Sequence, residues 1–307
     1  MVRSPTRRAA TVATAVAAAL CADPAVAVTV DGVLDLEYGP PLAVQTTQTS
    51  FEDSSPGLSP DPVRIANGSE LDALYAFVDG NVLRLMLAGN LGFCCSASYS
   101  HQEVLDVFID SQPGGQSTLR NDNPLVGWAG TALMGLAGLS FDLGFEPDYW
   151  LGCTINTYSS YAELPAAGRG EAYNLGSNLV GAPGVLTNGI NPFGILIAVD
   201  NSNAAGVGTG CAPASGARVT TGIEWAIPLA AIGNPTGCFR VCALVNDVDT
   251  YELGNQVLGP LPPGTCALGA PESVHLASHA GNQYVSVCPA GSEAKTSTWG
   301  QLKTVYR

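Results

Sequence analysis

Residues 70–89 read ELDALYAFVDGNVLRLMLAG. Leu71, Ala73, Tyr75 and Phe77 alternate with Asp72, Leu74, Ala76 and Val78. Asp79-Gly80-Asn81 follows, and glycine and asparagine tolerate the positive φ of a tight turn. Val82, Arg84, Met86 and Ala88 then alternate with Leu83, Leu85 and Leu87. Two period-two runs around such a turn predict a β-hairpin. The second strand is apolar enough to lie centrally in a sheet.

The pattern recurs downstream. In VLDVFID (104–110), Leu105, Val107 and Ile109 share one face, and Val104, Asp106, Phe108 and Asp110 share the other. Pro113-Gly114-Gly115 ends this strand. Further strand candidates are 43–49, 148–155, 193–199, 220–229, 238–245 and 284–287. So many short strands without intervening helices predict an all-β, antiparallel β-sandwich of jelly-roll-like form. The stretch 124–139 (PLVGWAGTALMGLAGL) is apolar but glycine-rich, a short helix or a covering loop. Residues 52–63 and 201–217 read as loops. No repeat or long linker divides the chain, so a single domain is expected over 28–307.

Residues 1–27 have the form of a secretory signal peptide. Arg3, Arg7 and Arg8 precede a small, apolar run at 9–20, and Ala25-Val26-Ala27 is a small-x-small cleavage site. The run is too short to span a bilayer. Leu20 is too bulky for Cys21 to be a lipid-anchored cysteine. A secreted or extracellular bacterial protein without a membrane anchor is expected, with the periplasm as an alternative site. Cleavage removes three of 12 basic and one of 26 acidic residues, leaving 9 against 25, a net charge of −16. That sign excludes a nucleic-acid partner, whose phosphates need Lys and Arg. Eight cysteines stay after cleavage: Cys94, Cys95, Cys153, Cys211, Cys238, Cys242, Cys266 and Cys288. An even number in an exported chain predicts a disulfide framework, with Cys94 and Cys95 bonding to different partners. Zinc is disfavoured, because Cys238-x3-Cys242 has no matching second pair.

Three stretches in order resemble known modules. VTVDGVLDLEYG (28–39) resembles the opening "DG-x-LD" strand of family-nine carbohydrate-binding modules. LYAFVDGNVLRLML and VLDVFIDSQPGG resemble their hairpin and their "E-x-F-I-D-P" strand and turn. The resemblance implies a sandwich related to the DOMON domain and, through it, carbohydrate binding. Tyr38 stands where those modules usually carry Trp. FDLGFEPDYW (141–150), GNQVLGPLPPG (254–264), AGNQYVSV (280–287) and TWGQLKTVYR (298–307) look like a group of exported bacterial proteins.

The candidate chemistry is sparse. Tyr149, Trp150, Tyr158 and Tyr161 crowd one segment and are the expected ligand contacts, since aromatic faces stack on sugar rings. Core packing is the alternative for Trp150 and Tyr158, and Trp128, Trp225 and Trp299 read as structural. Asp110, with Asn121 and Asp122, offers oxygen ligands for calcium, although the spacing is not that of an EF-hand. The competing and preferred reading of Asp110 is a strand-end carboxylate accepting turn N–H groups. Asp142, Glu146 and Asp148 form the one carboxylate set for glycoside hydrolysis. His275 and His279 read as surface loop residues. A haem held by Met86, as DOMON relatives can hold one, has no identifiable His partner. The expected function is non-catalytic extracellular binding of polysaccharide, with calcium as an assisting ion. A structural or adhesive surface or matrix protein is the alternative, and a secreted glycoside hydrolase the third reading.

Overall fold

The computed structural model describes residues 28–51, 69–91, 103–127, 132–154, 159–177, 186–203, 205–247 and 252–289. Among them are twelve strands: β1 (Ala43–Val44), β2 (Glu70–Asp79), β3 (Val82–Asn90), β4 (Glu103–Asp110), β5 (Tyr149–Cys153), β6 (Ser159–Glu163), β7 (Ala172–Gly176), β8 (Leu196–Val199), β9 (Gly222–Pro228), β10 (Phe239–Asp247), β11 (Glu252–Leu258) and β12 (Val285–Val287). The other regular elements described are single 3₁₀ turns. No described helix is long and apolar enough to cross a membrane.

All the strand pairs are antiparallel and form two sheets, β1-β2-β3-β9-β8 and β11-β10-β4-β5-β6-β7, with β12 pairing β10 beside β11. The all-β antiparallel sandwich expected from the alternation is therefore present, and β3 lies at the centre of its sheet. Gly80 takes φ 58° at the hairpin turn, as a two-residue connection requires.

Side-chain alternation places four layers. Leu74, Leu83, Leu85, Leu87, Ile223 and Trp225 of the smaller sheet meet Leu105, Val107, Ile109, Leu151, Val241 and Ala243 of the larger. On the outer face of the larger sheet, Val104, Phe108, Trp150, Cys242 and Leu244 lie under loop residues such as Leu133, Leu136, Phe141, Phe145 and Leu276. The segment 132–139 is thus a covering loop with one 3₁₀ turn, Met134–Leu136. On the outer face of the smaller sheet, Tyr75, Met86 and Ala88 lie under Val28 and Tyr38. This N-terminal strap is fastened by Glu224 of β9. Its carboxylate accepts from Asp31 N–H (2.8 Å), Gly32 N–H (3.0 Å) and the Tyr38 hydroxyl (2.8 Å).

The strict alternation expected for 70–78 fails at one place. The β2–β3 register shifts between Leu71 and Ala73, so Asp72 is an extra residue, a β-bulge. Leu71 consequently joins Leu74 and Ala76 between the sheets, instead of facing outward with Ala73 and Tyr75. The expected strand at 43–49 is also shorter. Only Ala43–Val44 ladder with β2, while Thr47 and Thr49 make isolated bridges to Pro213 and Thr209.

Among the described residues two disulfides are formed, Cys211–Cys266 and Cys238–Cys288. The second follows from register. Phe239 pairs with Val287 across β10 and β12, which sets Cys238 and Cys288 opposite one another. Cys153 and Cys242, expected in disulfides, are instead buried free thiols. Cys153 points between the sheets and Cys242 points to the opposite face of the larger sheet, so they cannot meet. Burial pushes both thiols up, which keeps them protonated and inert. Cys94 and Cys95 lie outside the described residues.

Candidate functional site

The aromatic segment divides between the two faces of the larger sheet. Trp150 is fully buried beneath the covering loops, and its indole Nε1–H donates to Asp106 Oδ1 at 2.7 Å. Its ring lies over Gly152, where a Cβ would collide with the indole. The space lined by Trp150, Gly152, Gly127 and Ser160 is about 10 Å³, room for one water at most. Trp150 is therefore a core residue, and the expectation that it contacts ligand is corrected. Tyr161 is likewise buried, and its hydroxyl donates to Ala231 O at 2.8 Å. Tyr158 lies outside the described residues, as do Trp128 and Trp299.

Tyr149 fares differently. It is half-buried on the inner face of β5, at the margin of the space between the sheets. There it belongs to a strip of aromatic rings. Tyr149 and Tyr161 are 6.1 Å apart at 31°, and Tyr161 and Tyr173 are 6.1 Å apart at 27°. Three adjacent strands thus supply three rings in near-parallel array, centred on the buried Tyr161. Register explains it. Tyr161 pairs with Leu151 on one side and Tyr173 on the other, with Tyr149 diagonal to it. Phe193 closes the end, 5.3 Å from Tyr161 and 6.4 Å from Tyr173. Tyr173 and Phe193 are half-buried, so they and Tyr149 present ring surface to solvent.

Carboxylates rim the strip. The Tyr173 hydroxyl donates to exposed Glu171 at 2.5 Å, and Glu163 faces Tyr149 across the β5–β6 pair. Burial raises the Tyr149 hydroxyl above its usual range, with Asp148 and Glu163 adding to the shift. Ile190, 66% exposed, is tied beside β7 by its N–H to Asn174 O at 2.8 Å. Tyr173 and Phe193 were not foreseen as contacts. The signal for Tyr173 was a short run, EAYNLG, between glycines at 170 and 176; Phe193 had none beyond its strand.

The residues singled out for calcium are engaged otherwise. Asp110 forms an ion pair with Arg240 at 2.9 Å, and this guanidinium also donates to Gly144 O and covers the Tyr284 ring at 5.3 Å. Asp122 is gripped by both arms of Arg120, at 2.7 and 2.5 Å, and Asn121 is exposed beside it. Among the described residues, no three His, Cys, Asp or Glu side chains are grouped to hold a metal ion. The turn after β4 is capped by Asp148, not by Asp110. Asp148 accepts from Ser111 N–H at 2.9 Å and Gln112 N–H at 2.7 Å. Burial pushes it up to about 6, and Asp110 and Glu146 add repulsion. Asp142 accepts from Gln283 N–H at 2.5 Å. Two of the three carboxylates considered for glycoside hydrolysis thus hold backbone turns, and Glu146 is exposed. His275 is exposed and opens the 3₁₀ turn Leu276–Ser278. Met86 is fully buried under the strap.

Comparison of the chain with family models, with curated proteins and with solved structures finds no significant match.

Proposed function

We propose that this is a non-catalytic extracellular protein that binds polysaccharide along the strip formed by Tyr149, Tyr161, Tyr173 and Phe193. The observation that carries this reading is the ring array itself, three neighbouring tyrosines on β5, β6 and β7 with their outer members half-buried. Sugar rings bury their C–H faces on such surfaces, while nearby polar groups fix their orientation. Glu163, Glu171 and the hydroxyls of Tyr149 and Tyr173 are the polar groups available to sugar hydroxyls. The same carboxylates, on a chain of formal net charge −14, repel acidic polymers, so the glycan is a neutral one. Export agrees with the disulfides, which persist in oxidising compartments. The ordered resemblance to family-nine modules points the same way. Glycoside hydrolysis is disfavoured, because Asp142 and Asp148 are committed to backbone amides.

Pull-down with insoluble neutral polysaccharides and with a uronic-acid polymer tests this. Retention on at least one neutral polymer and none on the acidic one is expected. Tyr173→Ala should weaken retention at least about tenfold, equal to 1.4 kcal/mol of binding, with little change in melting temperature. Undiminished binding in a Tyr149→Ala/Tyr173→Ala variant, or no glycan bound at high protein concentration, overturns the reading.

A further inference from the structure

Glu70 and Asp72 are both fully buried at the start of β2, on either side of Leu71. Asn203 and the segment 205–208 lie against them. Val207 N–H donates to Asp72 Oδ1 at 2.9 Å, and Gly208 N–H donates to Glu70 Oε2 at 3.1 Å. Asn203 Nδ2 lies 3.4 Å from both Glu70 Oε1 and Asp72 Oδ2. A Cβ on Gly206 would collide with both carboxyl groups, so only glycine lets the backbone come this close. Asn203 Nδ2 and the Gly206 backbone thus sit against both groups, so the two carboxyls converge on one buried point. Two carboxyl groups confined together out of water do not both ionise, so one of them keeps a proton.

Among the described residues, none supplies a counter-charge. Gln45 N–H bonds Asp72 O, Thr49 N–H bonds Gly208 O, and Gln256 accepts from Leu71 N–H. Asn90 of β3 pairs with Glu70. Arg84 of β3 is at the far end of that strand, opposite Phe77 and near Asp79. Along the loop, Asp200 accepts from its own Ser202 N–H, and Arg218 is exposed. Tyr75, on β2 itself, senses the charge of Asp72. Neither carboxyl reaches solvent, so the pair is not a catalytic dyad.

We propose that Glu70 and Asp72 are a proton-operated clasp: the proton the pair keeps holds the 205–208 segment on β2, and its loss releases that segment. The sign follows from the environment. Burial, and for Glu70 the neighbouring Asp72, raise both groups above the ordinary carboxyl range. The closed loop therefore keeps protons that the open loop gives up. Closure is strongest in acid, weakens as pH rises above the ordinary carboxyl range, and is lost as pH passes the raised values.

Amide hydrogen exchange at Val207 and Gly208, corrected for intrinsic rates, reads the opening directly. Between pH 5 and 7 the opening equilibrium should rise about tenfold per pH unit for each proton released. In Glu70→Gln/Asp72→Asn, where amides replace the titrating groups, the corrected opening should be flat with pH. Protection in the unaltered protein that does not vary with pH overturns the clasp, whether or not the variant folds. So does an unchanged slope in the double variant.

Discussion

Trp150→Ala is expected to destabilise the protein by about 3–5 kcal/mol, the range for emptying a large buried aromatic site. The indole fills the space over Gly152 and beside Gly127, where no other group can follow it. It also donates to Asp106, which is fully buried between Trp150 and Asn246. Removing the donor leaves that carboxyl with Asn246 alone and adds about 1–3 kcal/mol for the orphaned acceptor. Burial already pushes Asp106 up to about 8, against the lowering effect of the two donors. A carboxyl raised in the folded state favours folding most below its unfolded range, and that contribution is lost as pH rises through about 8. Trp150→Phe keeps most of the volume and isolates the hydrogen-bond part. Urea unfolding at pH 6 measures both variants. A Trp150→Ala protein as stable as its parent, but unable to bind glycan, would restore the indole as a ligand contact.

The second large effect is expected from the disulfides. Cys211–Cys266 and Cys238–Cys288 close segments of 55 and 50 residues. Chain-entropy reasoning assigns about 4 kcal/mol to each closure of that length. Domains are stable by about 5–15 kcal/mol in total, so losing both consumes much of the margin. The two closures interlace, since Cys238 lies between Cys211 and Cys266. Each therefore shortens the other's effective loop while both are intact, so the first cut should cost less than the second. Melting with and without reductant, and in Cys238→Ser/Cys288→Ser, reads this effect, and an unchanged melting temperature would refute it. Cys153 and Cys242 give an internal control. A maleimide should leave both unlabelled in the native protein and label both after unfolding.

Alternation in 70–89 and 104–110 was enough to foresee the sandwich, because a strand with one face between two sheets must repeat every second residue. It was also enough to place β3 centrally and to put Leu105, Val107 and Ile109 on one face, the one that lies between the sheets. What it missed has physical causes. A bulge is one residue long and carries no compositional mark, so Asp72 read as an ordinary member of its row. The outer face of the larger sheet is covered by irregular loops, and loop packing has no period. Trp150 was therefore expected as a ligand contact, with core packing as the alternative, although Leu133, Phe141 and Leu276 share its apolar cluster. Asp110 was correctly placed at a strand end, but its partner Arg240 is 130 residues away. The adjacent strands that assemble the ring strip come from sequence segments whose pairing depends on the whole sheet. Tyr149 was legible as an aromatic and Tyr161 as its neighbour; their alignment with Tyr173 was not.

The strap fastened by Glu224 has a consequence for the order of events in synthesis. Asp31 and Gly32 are among the earliest described backbone to be made, yet their acceptor follows 193 and 192 residues later. A ribosome delivers the chain from its amino end, so this opening stretch waits undocked until β9 has emerged. Meanwhile Tyr75 and Met86 lack their cover, and the hairpin that bears them is a greasy nascent surface. Contacts of such span slow folding, which makes this waiting period the interval when a holding chaperone has most to protect.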